Sequence, residues 1–351
     1  MSRRSIVGMV LLLGITFVTY THFAYAPVVA HLEKQIERII PSENKAKNTV
    51  MVLAFGDMML DRAVRRRMNE SGLEYPFALI KDFLKEGNDI VVANAEGPFT
   101  HFESKTVGVL KNGPLEFTFA TDTLPVLREV GFTLFSQANN HSINFEREGL
   151  EESERSIDEA GMNWFGDPSN IGDSSYSTTT NGIKIAFVGF HEFAGQGFSA
   201  TLDVIKKYKE AGAFVVVYPH WGTEYELLFN ENQEEMGHLF IDAGADVVFG
   251  AHPHVIEPIE VYKNKVIFYS LGNFIFDQSW SRATSEGLAV KMTVSSTSVA
   301  YKLYPLGIEK SQASIMVSEK AIPLLERLKT ISMVPEMNID SLGSGIFTLS
   351  R

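Results

Sequence analysis

Six short apolar runs in this sequence each end in side chains that can hold a metal ion or move a proton. They read FGD at Asp57, ANAE at Glu96, QANNH at Asn140 and His141, YPHWG at His220, GAHPH at His252 and His254, and SLGNF at Asn273. Carboxylates, amide oxygens and neutral imidazoles are ligands for Mn, Fe, Zn or Mg. Two such ions about 3.5–4 Å apart can clamp a phosphoryl or similar group and lower the pKa of a bound water. A carboxylate bridges such a pair, and imidazoles fill other positions without adding charge. A histidine left off the metal can protonate a leaving group. Each piece alone has a plainer reading. Asp57 could cap a helix, Asn139 and Asn140 could shape a turn, His220 could be a satisfied half-buried histidine, and Glu96 could be loop surface. Their joint occurrence points to one site for one or two divalent ions.

The elements that must position these residues follow from hydrophobic patterning. Apolar runs of strand length lie at 50–55, 89–93, 132–136, 184–190, 214–218, 246–249 and 266–270. Segments with helical spacing lie at 58–70, 76–86, 122–130, 147–160, 202–211 and 231–243. This alternation predicts an α/β fold with a largely parallel sheet and helices on both faces. In such a sheet, ligands bind beyond the carboxyl ends of the strands, so all six ends can converge on one crevice. After about residue 285 the pattern changes to strands over 288–295 and 299–304 and a helix over 322–331.

The bulk composition narrows the partners. The chain has 351 residues, 45% apolar and 21% charged, as in an ordinary globular protein. Its formal net charge of −12 excludes a nucleic-acid partner. A polyanionic substrate would also be repelled unless metal ions or a local basic patch receive it. Arg62, Arg65, Arg66 and Arg67 form the one dense basic run, directly after the first motif. Its plainer reading is a solvated helix face. There are no cysteines, which excludes disulfides, thiolate metal sites and a cysteine nucleophile.

Residues 5–30 carry no Asp, Glu, Lys or Arg, and Arg3 and Arg4 precede them. That stretch is long enough to span a bilayer. It is read as an uncleaved signal anchor over residues 1–30; the alternative is a signal peptide cut after Ala24-Tyr25-Ala26. The positive-inside rule then puts the folded part outside the cell, on a single-pass protein of the cell membrane. Residues 31–49 read as a stalk and linker, 50–285 as the main domain, and 286–351 as strands and a helix completing it.

At the strand-end motifs the sequence resembles the CapA capsule-synthesis (poly-γ-glutamate) family, a branch of the calcineurin-like metallophosphoesterases. The matching segments are GDMMLDR (56–62), NAEGP (94–98), ANNHSIN (138–144), HWGTEY (220–225), DAGADVVFGAHPHVIEPIE (242–260) and YSLGNFIFD (269–277). The resemblance implies a four-layer α/β/β/α sandwich and a role in making, exporting or anchoring a capsule polymer. It implies that Asp57 and His254 bind one ion, that Asn140, His220 and His252 bind the other, and that Glu96 bridges them. His141 resembles a general-acid histidine, and Arg62 could contact an anionic substrate. Two departures from the wider superfamily stand out. Met59 occupies the place of the usual histidine in Asp-x-His, and the bridging residue is Glu rather than Asp. The first implies a weakened first metal site, since a thioether is a poor ligand for hard ions. The expected partners are an anionic polymer or phosphoester, the membrane and other subunits of a membrane synthase. The competing expectation is a subunit that holds polymer or metal without catalysis.

Overall fold

The computed structural model describes residues 48–107, 115–335 and 341–351. The anchor expected over 1–30, and the stalk and linker up to residue 47, lie outside the described residues. No helix among the described residues is long and apolar enough to cross a membrane.

Two large sheets carry the described residues. The nine-stranded sheet runs β16 (Gln312–Ile315), β15 (Ser298–Glu309), β14 (Glu286–Val294), β1 (Val50–Met58), β2 (Ile90–Ala95), β5 (Leu134–Ser136), β6 (Asn163–Phe165). Off that path, β13 (Asn273–Ile275) pairs with β1, and β17 (Ile346–Ser350) with β15. The six-stranded sheet runs β11 (Ile259–Tyr262), β12 (Lys265–Phe268), β10 (Val247–Phe249), β9 (Phe214–His220), β8 (Ile183–His191), β7 (Tyr176–Thr180). A small parallel pair, β3 (Phe99–Thr100) and β4 (Phe119–Ala120), stands apart.

Both large sheets are parallel at the centre and antiparallel at an edge. β1, β2, β5 and β6 pair parallel, as do β8, β9, β10 and β12. β14 joins β1 antiparallel, so the C-terminal strands extend the first sheet.

Alternate side chains along each strand enter different cores, because successive residues point to opposite faces. Val52, Ala54, Ile90 and Val92 of the first sheet share a core with Phe187, Val216, Phe249 and Val266 of the second. Their neighbours Leu53, Phe55, Val91 and Ala93 pack instead with Val64, Met68, Leu127 and Ile157 from helices. On the second sheet's other face, Val188, Val215 and Val248 pack with Ile205 and Phe240. The result is two sheets face to face, with helices against their outer faces. The C-terminal helix Ser318–Ile331 departs from this plan: Leu324, Leu325 and Leu328 join the core between the sheets.

Two elements differ from the pattern-based expectation. Residues 76–86 form no single helix but a 3-10 turn, Tyr75–Phe77, and a short helix, Lys81–Leu84. The helix expected from residue 58 begins at Arg62, because Met58 is still paired to Ala95 and Ile275 in the sheet.

Close backbone approach sets the centre of the first sheet. A Cβ on Gly56 would sit 1.8 Å from the Gly272 carbonyl oxygen. Backbone cannot rotate away as a side chain does, so β1 and β13 would have to part. Gly56→Ala is therefore expected to destabilise the fold by about 2–3 kcal/mol. Urea unfolding followed by tryptophan fluorescence measures this; parent-like stability would show that the two strands do not approach so closely.

Candidate metal centre

Strand register assembles one half of the site. Asp57 is the register partner of both Asn94 on β2 and Asn273 on β13, so three polar side chains lie in a row across parallel strands. All three are buried. The Asn94 amide donates to Asp57 Oδ1 at 2.8 Å and lies 3.2 Å from His220 Nδ1. Asn139 in turn donates to Asn94 Oδ1 at 3.1 Å and to the Ala95 carbonyl at 2.8 Å. Asn139 Oδ1 accepts from the backbone amides of His141 and Ser142, at 3.0 and 2.9 Å. One buried asparagine thus shapes the turn that presents Asn140 and His141.

The second sheet supplies the imidazoles. His220 ends β9, next to His191 in register on β8 and bridged to Ala251. His252 and His254 follow Ala251 with φ of 96° and 59°. These left-handed conformations are strained for residues bearing a Cβ. The strain is tied down on the Asp57 side, where the His252 amide donates to Asp57 Oδ2 at 3.0 Å. The consequence is a tight convergence of donors. His220 Nε2 lies 2.9 Å from Asn140 Oδ1 and 3.1 Å from His252 Nδ1. Neighbouring ligands of one octahedral ion, each about 2.1 Å from it, lie about 3 Å apart.

A second group forms around His254. Its Nδ1 is 3.0 Å from Asn273 Oδ1. The Asn273 amide nitrogen donates to Gln278 and to the Thr284 carbonyl, so the oxygen faces the imidazole. His254 therefore donates from Nδ1 and turns Nε2 to Glu96 Oε1, 3.5 Å away. Asp57, Glu96 and His254 lie close enough to share an ion, and so do Glu224, His252 and His254.

The electrostatics are those of charge gathered out of water. Burial pushes the Glu96 carboxyl well above its usual range, and its Oε2 has no hydrogen-bond partner. Burial alone would raise Asp57 too, but His254, Asn94 and the His252 amide hold it below the usual carboxylate value. Burial and neighbouring imidazoles push His220 well down and His252 down to about 3. Burial would lower His254 as well, but Glu96 and Asp57 raise it to about 9. A buried carboxylate with an unpartnered oxygen, set among imidazoles, a second carboxylate and an amide oxygen, fits a hard or borderline divalent cation.

His141 and Arg62 sit at the rim. His141 Nδ1 donates to Asn144 Oδ1 at 3.0 Å and its Nε2 is 3.8 Å from Glu96 Oε1; burial lowers its pKa to about 4. Arg62 pairs with Asp277 at 3.3 Å and lies over the rings of Phe117 and Phe276. Those rings flank His141 and His254, with ring centroids 4.3 and 4.9 Å away. The structure thus brings Asp57, Glu96, Asn140, His141, His220, His252, His254 and Arg62 into one place. Arg65 turns elsewhere, donating to the Thr118 carbonyl. Met59 is fully buried in the helix-side core. Sequence reasoning missed Asn94 and Glu224 as site residues, although both lie inside the motifs NAEGP and HWGTEY.

Fold and site together define a mixed α/β protein with candidate divalent-metal groups where the two sheets' strand ends meet. Residues 51–278 match the family described as "Bacterial capsule synthesis protein PGA_cap", and the chain belongs to that family, which has a metallophosphoesterase-like fold. "PGA biosynthesis protein CapA" of Bacillus subtilis (strain 168) is 28% identical over 305 residues, covering 82% of this chain and 77% of the relative. "Capsule biosynthesis protein CapA" of Bacillus anthracis is 29% identical over 311 residues, covering 83% and 75%. "Probable polyglutamine synthesis accessory protein Rv0574c" of Mycobacterium tuberculosis (strain ATCC 25618 / H37Rv) is 24% identical over 191 residues, covering 47% and 50%.

Behind the site, a buried acid supports the turn after His220. Gly222 lies against the Gln233 side chain, whose Nε2 donates to Glu257 Oε2 at 2.8 Å. Burial raises Glu257 from the ordinary 4.5 to about 8, and its Oε1 has no partner. The folded state therefore binds this proton more tightly than the unfolded chain. Its contribution is full below about pH 4.5 and is lost as pH rises to about 8. Glu257→Gln, which cannot ionise, is expected to lose less stability than the parent between about pH 5 and about pH 8. Thermal unfolding at stepped pH checks this; identical slopes would mean that Glu257 is charged in the folded protein.

Proposed function

We propose that this chain serves in biosynthesis of a capsule polymer of the poly-γ-glutamate type, at the outer face of the cell membrane, through a two-ion hydrolytic centre. The observation that carries the reading is the convergence of Asp57, Glu96, Asn140, His220, His252 and His254 from two sheets onto one buried cluster. Asp57 and His254 would hold one ion, and Asn140, His220 and His252 the other, with Glu96 between. Bound divalent ions would supply charge to receive an anionic group and a water of lowered pKa. The protein's own residues do the rest. Arg62 offers a cation at the rim to an anionic polymer or phosphoester. His141, oriented through Nδ1 by Asn144, would exchange a proton with substrate from Nε2. The buried row of Asn94, Asp57 and Asn273 holds the ligands in place. The names of the CapA relatives support the polymer assignment. Met59 supports a second reading: core packing where the wider superfamily places a ligand suits a centre that holds polymer for other synthase subunits without cleaving it.

The test is genetic and chemical. In a poly-γ-glutamate producer lacking its own CapA-type protein, the full chain is expected to restore surface polymer. His220→Ala and Asp57→Ala are expected to restore less than about a tenth as much, since removing even a ligand's outer-shell partner costs about 10–100-fold. Full restoration by both variants would remove the metal centre from the function. Metal-dependent phosphoester hydrolysis by the purified chain would separate the hydrolytic from the holding reading.

The uncharged 5–30 segment behind Arg3 and Arg4 supports a single-pass anchor with the folded part outside. Protease added to wall-stripped cells is then expected to digest the chain beyond residue 48. Complete protection in the wall-stripped cells, with digestion after lysis, would reverse the topology.

A further inference from the structure

We propose that Glu224 is a metal ligand of the His254 ion, standing in for the imidazole that Met59 fails to supply. The inference rests on the metal-centre reading above and deepens it. Sequence reasoning leaves the first ion with Asp57, His254 and a shared Glu96. The structure adds a carboxylate. Glu224 Oε1 lies 3.8 Å from His254 Nε2, the same nitrogen that faces Glu96 at 3.5 Å. Ligand atoms of one octahedral ion lie about 3–4.2 Å apart. His254 belongs to both candidate metal groups, one with Asp57 and Glu96 and one with Glu224 and His252.

Glu224 is half-exposed, and a half-exposed glutamate on a free loop would signify little. This loop is not free. Trp221 donates its backbone amide to the Ala251 carbonyl at 3.1 Å and its indole N–H to the Tyr269 carbonyl at 2.8 Å. The Gly222 amide donates to Glu192 Oε2 at 2.7 Å. Beyond Glu224, the Tyr225 amide donates to the Pro253 carbonyl at 2.9 Å, inside the HPH turn itself. Tyr225 adopts a left-handed φ of 67°, stacks on the His254 ring at 5.9 Å, and accepts from Gln278 Nε2 at 3.2 Å. Gln278 in turn accepts from the Asn273 amide, the residue that orients His254. The segment that carries Glu224 is therefore fastened on both sides of that residue to the segment that carries the imidazoles.

The oxygens gathered here suit a divalent cation. Asp57, Glu96 and Glu224 bring three carboxyl groups around His254, and Glu96 Oε2 has no partner. Arg62, the cation at the rim, is already paired with Asp277. Two of these carboxyl groups, Asp57 and Glu96, are fully buried, and buried like charges repel unless positive charge lies among them.

The test is metal binding by the full chain, stripped with chelator and titrated with Mn²⁺ by calorimetry, with bound metal counted after dialysis. The parent is expected to bind two ions per chain. Glu224→Gln keeps the shape and removes the charge. It is expected to weaken one step by about 10–100-fold, the scale seen when ligand support is lost. The other step is expected to stay within about twofold, which also reports that the variant is folded. Met59→Leu is expected to leave both steps unchanged. Parent-like titration of Glu224→Gln would overturn the assignment while leaving the metal centre intact. Loss of both steps would overturn it too, since Glu224 would then act on the fold rather than on one ion. A parent chain that takes up no Mn²⁺ would overturn the metal-centre reading and this inference together.

Discussion

A carboxylate with no access to water must be surrounded by donors, and the buried Asp57 places that demand at the middle of the molecule. Its two oxygens take hydrogen bonds from the Asn94 side chain and the His252 backbone. The first comes from the neighbouring strand of the same sheet, the second from a turn of the other sheet. Removing either would leave a buried charge short of a donor, at a cost of about 1–3 kcal/mol. Much of the local architecture serves this requirement. The register of β1 with β2 and β13, the glycine contact between Gly56 and Gly272, and the positive φ at His252 all bring polar groups to one carboxylate.

The central strands are legible in the sequence because they are buried on both faces and read as continuous apolar runs. The expected segments at 50–55, 184–190 and 214–218 correspond to β1, β8 and β9. Two sheets rather than one cannot be read from β–α alternation, since both halves alternate alike; that expectation came from the family motifs. The site residues are legible where an unusual type ends an apolar run, as at His220 or His252. Asn94 escapes that logic because an asparagine one residue from a strand end reads as turn chemistry. Glu224 escapes it because a glutamate in a polar loop reads as surface. Only hydrogen bonds between distant segments give either one meaning. The 76–86 segment fails for a different reason: Phe77, Ile80 and Leu84 face a core, but Ile80, at φ −128°, interrupts the helix.

Strain and function coincide in the turns around the site. Arg62, Tyr225, His252 and His254 all have positive φ without being glycine. Each left-handed residue costs of order 1–3 kcal/mol and persists only where surrounding contacts enforce it. Those contacts are present here: Asp57 holds His252, Asn273 holds His254, and Pro253 holds Tyr225. The imidazoles are thus fixed before any ligand arrives, which removes the entropy of ordering them from the cost of binding.

The site draws on both sheets. Asp57, Glu96 and Asn140 come from the strands and turns of one, His220, His252 and His254 from those of the other. An ion shared among them would work as a rivet through two plates. Separating the sheets and releasing the ion would then be one event, since the unfolded chain offers no such arrangement. The lifetime of the folded protein would follow the free concentration of divalent metal around it. Scarcity of metal would clear the protein by proteolysis as well as silence it, and a capsule built with its help would inherit that dependence.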